Sequence, residues 1–156
     1  MIIAHPPCTY LTNVCTRGFS LKATPAEKVV KRWEDRALAA VFFMRFALAD
    51  CEKIAVENPI GFMSRAYRKA DQIISPWMFA EDENDTENYH SKKTCLWLKG
   101  LPPLKGNGNI KSFDCSIYGK YSSGKNKTWE DSYSRSAKAR SVTFTGIAKA
   151  MAEQWG

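Results

Sequence analysis

The chain has no apolar run near the roughly 18 to 20 residues that a membrane-spanning helix needs. Its opening, Met1-Ile2-Ile3-Ala4-His5-Pro6-Pro7, has neither the basic start nor the apolar stretch of an export signal. A cytoplasmic protein is therefore expected. Cysteine is sparse, odd in number and scattered (Cys8, Cys15, Cys51, Cys95, Cys115), which argues against a disulfide framework. No Cys-x-x-Cys pair occurs, and the spacings Cys8 to Cys15 and His90 to Cys95 do not suit zinc, so no metal is expected. There is no internal repeat. With 44% hydrophobic and 25% charged residues in a chain of 156, disorder is excluded as the general state, and one domain over residues 1–156 is expected.

What is abundant is positive charge. The net charge is +7 and the isoelectric point near 9.2, which favours polyanionic partners such as DNA. The distribution is uneven: Glu81, Asp82, Glu83, Asp85 and Glu87 make an acidic stretch, followed by Lys92, Lys93, Lys99, Lys105, Lys111, Lys120, Lys125, Lys127, Arg135, Lys138 and Arg140.

Met1-Ile2-Ile3-Ala4 reads as a strand stopped by Pro6-Pro7. Thr24, Pro25 and Glu27 read as a helix start with a hydroxyl cap. Val30, Trp33, Ala37, Val41, Met44 and Leu48 keep helical spacing, predicting a helix over 25–50 with that stripe inward. Ile54-Ala55-Val56 follows as a second strand, closed by Asn58-Pro59, giving a βαβ unit with a parallel pair. A short helix over 63–70, strands over 72–77 and 94–98, an irregular basic lobe over about 100–140 and a C-terminal helix from Thr143 or Thr145 complete the reading. Trp77, Trp97 and Trp155 are expected in the core. Tyr118, Tyr121, Trp129 and Tyr133, interleaved with lysines, either stack on a nucleic-acid strand or pack against one another.

Open α/β sheets place their sites in the loops after the C-terminal ends of parallel strands. Here those loops carry His5-Pro6-Pro7-Cys8 and Glu57-Asn58-Pro59. A thiol and a carboxylic acid opening into one crevice suit covalent catalysis with acid assistance.

Pro6-Pro7-Cys8 resembles the Pro-Cys motif that carries the nucleophile in DNA cytosine-5 methyltransferases, and Glu57-Asn58-Pro59 resembles their Glu-Asn-Val motif. The stretch from Arg140 to Ala148 is weakly similar to the family's last motif. The chain as a whole is similar to phage-type, cytosine methyltransferase-like proteins, also through Lys93-Thr94-Cys95-Leu96-Trp97-Leu98-Lys99-Gly100-Leu101-Pro102-Pro103. The resemblance implies a partial Rossmann-like methyltransferase sheet, S-adenosylmethionine as cofactor, DNA as partner and a bacterial host cell as the setting. It implies Cys8 as nucleophile, Glu57 as acid and Asn58 as support for the loop. His5, Pro7, Lys93, Arg140 and Ser141 would contact substrate.

The chain departs from that family at the cofactor. No strand leads through a glycine-rich turn into a helix, and the first strand corresponds to the family's fourth. The cofactor half is thus expected to be missing, with a homodimer or a partner chain supplying the absent strands. Two other functions stay open: a non-catalytic nucleic-acid-binding phage accessory protein, and a thiol enzyme acting on a free nucleotide.

Overall fold

Strand β1, Ile2–Ala4, runs parallel to β2, Ile54–Pro59, in the register Ile2↔Ile54, Ile3↔Ala55, Ala4↔Val56. The long helix α1, Ala26–Ala47, joins them, as a parallel pair requires. After the single-turn helix α2, Met63–Ala66, come β3, Gln72–Ile74, and β4, Thr94–Lys99. The sheet order is β1-β2-β4-β3, with β4 antiparallel to β2. The fold is thus mixed α/β on a four-stranded mixed sheet. The computed structural model describes residues 1–132 and 143–156. It divides into two compact units, Met1–Ile73 with Thr94–Pro103, and Ile74–Lys93 with Leu104–Gly156.

In the first unit, Leu11, Phe43, Ile54, Val56, Met63, Cys95 and Trp97 form a buried cluster. Ile54 and Val56 share one face of β2 by strand alternation, and Phe43 from α1 meets Trp97 of β4 edge to face at 5.1 Å. The Trp97 indole N–H donates to the Arg68 carbonyl at 2.8 Å. The helix expected over 63–70 stops at Ala66, where Tyr67 leaves helical backbone geometry.

The expected inward stripe of α1 is displaced. Val30, Trp33, Val41 and Leu48 are exposed, and the buried positions are Val29, Arg36 and Phe43. The helix carries apolar residues on both sides, and its true inward face includes a charged residue, so a count of apolar positions selects the neighbouring stripe. The helix start differs as well. Pro25 occupies the cap position with no side-chain cap bond, while the Thr24 hydroxyl points to the Arg17 carbonyl at 3.5 Å.

The second unit opens where the strand expected over 72–77 ends. Pro76 has no N–H to offer a ladder, and Pro76–Phe79 turns into a 3-10 helix. The acidic stretch is an organised loop: Asp85 accepts from the backbone N–H groups of Glu81, Glu87 and Asn88. A one-turn helix α3, Trp129–Ser132, precedes the C-terminal helix α4, Thr145–Trp155, which buries Ile147, Ala150, Met151 and Trp155. Helix α4 has no local hydroxyl cap. Asn88, far away in sequence, accepts the Gly146 N–H at 2.8 Å instead, satisfying one of the donors that a helix start leaves open. At the other end, Gln154 bonds both the N–H and the carbonyl of Lys105.

The aromatics of this unit mostly pack on each other. Trp129 is 3% exposed, His90 stacks on Tyr118 at 6.5 Å, and Lys92 lies over Trp129 and Phe144 at 5.4 and 5.5 Å. Tyr121 alone of the described residues in the expected aromatic series is exposed, with Lys127 6.0 Å from its ring. Tyr133 lies outside the described residues. Trp97 and Trp155 are core residues, and Trp77 is half-buried. No helix among the described residues is long and apolar enough to cross a membrane.

Candidate functional site

The pairing offset of β1 and β2 continues past the end of β1 as side-chain contacts. Ala4↔Val56 is the last ladder pair; next, His5 Nδ1 lies 2.9 Å from Glu57 Oε2. One residue further, Asn58 Nδ2 donates to the Pro6 carbonyl at 2.8 Å. The parallel register therefore sets the two sequence motifs side by side at the C-terminal ends of adjacent strands. Glu57-Asn58-Pro59, expected in the loop after the second strand, lies instead within β2, because β4 pairs with it as far as Pro59↔Thr94; Glu57 and Asn58 therefore leave opposite faces of β2 by strand alternation. Asn58 is 1% exposed, whereas His5 and Glu57 remain accessible, their side chains 38% and 20% exposed.

Cys8 follows three residues after His5 and is half-buried. Its carbonyl accepts the N–H groups of Leu11 and Thr12 at 2.9 and 3.0 Å, closing a turn. That turn docks on the segment leaving β2: Phe62 N–H donates to the Leu11 carbonyl at 2.7 Å and Asn13 N–H to the Ile60 carbonyl at 3.3 Å. Gly61 makes the contact possible, because a Cβ there would collide with the Leu11 carbonyl oxygen. From the helix side, Arg36 Nε donates to the Tyr10 carbonyl at 2.8 Å.

Two further features border the turn. A cavity of about 280 Å³ is lined by Pro7, Thr9, Tyr10, Asp35, Leu38, Ala39 and Phe42. Lys31 sits 2.9 Å from Asp35, and its hydrogen bond holds that carboxyl below the usual range despite some desolvation. On β4, Cys95 pairs with Asn58 across the ladder. Burial pushes the Cys95 thiol up, and the Glu57 charge adds to that against a hydrogen bond from Ser64, so Cys95 is kept a neutral, packed thiol.

Of the residues expected to contact substrate, His5 and Pro7 stand beside Cys8 and Glu57, and Pro7 is exposed. Lys93 is exposed and belongs to the second unit. Arg140 and Ser141 lie outside the described residues. Arg36 and Gly61 were not legible as site residues. The available signal for Arg36 was the seven-residue spacing Val29, Arg36, Phe43, which puts a guanidinium in line with two core residues.

Among the described residues, the glycines with positive φ are Gly100, Gly108, Gly119 and Gly124, and none of them joins a strand to a helix. The loops after β1 and β2 are instead occupied by His5-Pro6-Pro7 and by Gly61 packed on Leu11. Among the described residues, no cluster of three His, Cys, Asp or Glu side chains could hold a metal. No protein-family model, curated protein or solved structure matches the chain, so the meaning of the site rests on its own geometry and on the motifs it joins.

Proposed function

We propose that the chain is a DNA cytosine-5 methyltransferase-like protein whose own chemistry is addition of a thiol to a cytosine ring. The observation that carries this reading is the continuation of the β1–β2 register into the His5–Glu57 contact at 2.9 Å, which sets the Pro6-Pro7-Cys8 loop beside a carboxyl and its proton partner. In the proposed step the Cys8 thiol gives up its proton to solvent and its sulfur bonds to C6 of a flipped-out base. The C5–C6 π pair shifts to C4–C5, the C4–N3 π pair moves to N3, and N3 takes a proton from Glu57. His5 shares that proton with Glu57 and restores it afterwards. The result is a ring with a nucleophilic C5. Among the described residues no positive-φ glycine joins a strand to a helix, and the chain's own step ends at that carbon.

The outer edge of β1 in the sheet order supports a second copy or a partner chain as the source of further strands, since exposed edges are usually paired or covered. A partial Rossmann-like methyltransferase sheet, in one catalytic domain, is the architecture this reading assigns. A non-catalytic nucleic-acid-binding role is favoured by one observation: the turn between Lys120 and Asn126, closed at Gly124, holds exposed Tyr121 among Lys120, Lys125 and Lys127.

The test is an oligonucleotide carrying 2-pyrimidinone, whose C6 is more electrophilic than that of cytosine, so that the adduct accumulates without group transfer. Wild type is expected to give a denaturant-stable adduct and Cys8→Ser none. Salt-sensitive binding without any adduct would leave the binding reading instead.

A further inference from the structure

The turn that carries Cys8 is held from both sides by buried side chains at positions symmetric about the thiol. Two residues before Cys8, the Pro6 carbonyl takes the Asn58 amide; two residues after it, the Tyr10 carbonyl takes Arg36 Nε, both at 2.8 Å. We propose that Arg36 is a positioning residue for the Cys8 loop, one jaw of a clamp whose other jaw is Asn58. The inference rests on the reading of Cys8 as the reacting group.

Three observations support a role beyond filling space. Arg36 is 7% exposed, and a guanidinium is taken out of water only at a substantial desolvation cost, yet its neighbours seven residues away on the same stripe, Val29 and Phe43, are apolar. Its planar group lies 3.4 Å from the centre of the Phe19 ring and 4.9 Å from that of Phe62. It thereby ties α1 to the segment before the helix and to the exit of β2, with its Nε directed at the loop. A flat, forked donor stacked between rings is a geometry that lysine does not reproduce.

The opposite jaw shows a matching expense. Because the Pro6 carbonyl can only accept, it fixes which way the Asn58 amide faces, and Asn58 Oδ1 is left buried without a hydrogen-bond partner among the described residues. An unsatisfied buried acceptor is costly, so the contact with Pro6 is kept at the expense of the other end of the amide. Together the two jaws fix the path of residues 6–10.

The test reads the thiol itself. Alkylation of Cys8 by iodoacetamide is followed by peptide mass mapping across a pH series in the full chain, with Cys51 and Cys115 as internal references. Arg36→Met is expected to release the loop and speed Cys8 alkylation about tenfold, the scale of losing a hydrogen bond from a charged donor. Cys51 and Cys115 should stay unchanged. Arg36→Lys keeps the charge without the planar fork and should fall between the two; it also serves if Arg36→Met does not fold. An unchanged Cys8 rate, or all three thiols accelerating together, overturns the clamp. The two proposals fail separately: loss of the 2-pyrimidinone adduct in wild type with a Cys8-selective response to Arg36→Met removes the chemistry and keeps the clamp.

Discussion

In the unit of Met1–Ile73 and Thr94–Pro103, polar groups cluster at the end of an apolar core; in the unit of Ile74–Lys93 and Leu104–Gly156, they latch distant segments together. The first is built on Phe43, Ile54, Val56 and Trp97, and two of its buried polar side chains, Arg36 and Asn58, bond the Cys8 turn. The second closes through Asn88 and Gln154, which bind backbone across long stretches of sequence, and through Asp85, which gathers the backbone of its own loop. Apolar packing tolerates a polar site at its rim, whereas a latch made of hydrogen bonds depends on every partner and on protonation state. The site with exposed His5 and half-buried Glu57 stands on the first kind of foundation.

The contrast can be broken most severely at Phe43, which is fully buried. Phe43→Ala should cost about 4 kcal/mol, read as a lower denaturation midpoint, with loss of the ordered Cys8 turn. Gly61→Ala comes next: its Cβ collides with the Leu11 carbonyl, and about 2 to 3 kcal/mol is expected with the turn displaced. Asn88→Ala removes the distant cap of α4 and should cost about 1 to 2 kcal/mol, seen as faster hydrogen exchange in 145–155 and not in 54–59.

Acid should separate the two units. Burial holds the His90 imidazole below its ordinary range, against a hydrogen bond to Thr86 and the charge of Asp85. The unfolded chain therefore binds that proton first, and stability falls as pH drops below about 6.5. Desolvation would raise the Asp85 carboxyl, but hydrogen bonds from Asn88, Glu81 and Glu87 outweigh it and hold it below its ordinary range. Its contribution is present above about pH 4 and is lost as pH falls further through the folded value. Hydrogen exchange should show 74–93 losing protection on acidification before 54–59 does. The smallest effect belongs to Thr24→Ala, expected to cost under about 0.5 kcal/mol where a working cap would cost about 1, because its hydroxyl caps nothing.

The parallel pair and the long helix were legible because Pro6-Pro7, Pro25 and Asn58-Pro59 punctuate them, and punctuation acts locally. The inward face of α1 was not, since Arg36 looks like a surface residue until Tyr10, Phe19 and Phe62 are placed around it. The same holds for the cap of α4, where Asn88 and Gly146 meet only after folding. At the site, Cys8 and Glu57 could be named from their motifs and their strand ends, whereas Arg36 and Gly61 act through a turn whose path no local pattern states.

The central claim is that Cys8 adds to C6 with Glu57 serving N3, and solvent exchange of the hydrogen on cytosine C5 tests it most directly: once sulfur has added, C5 takes a proton from water, its original hydrogen leaves to water and the thiol is expelled, with no group transfer needed. DNA tritiated at C5 should lose label to water with the wild-type chain, lose none with Cys8→Ser, and lose it much more slowly with Glu57→Gln. Label retained with wild type, or released equally by Cys8→Ser, would contradict the account.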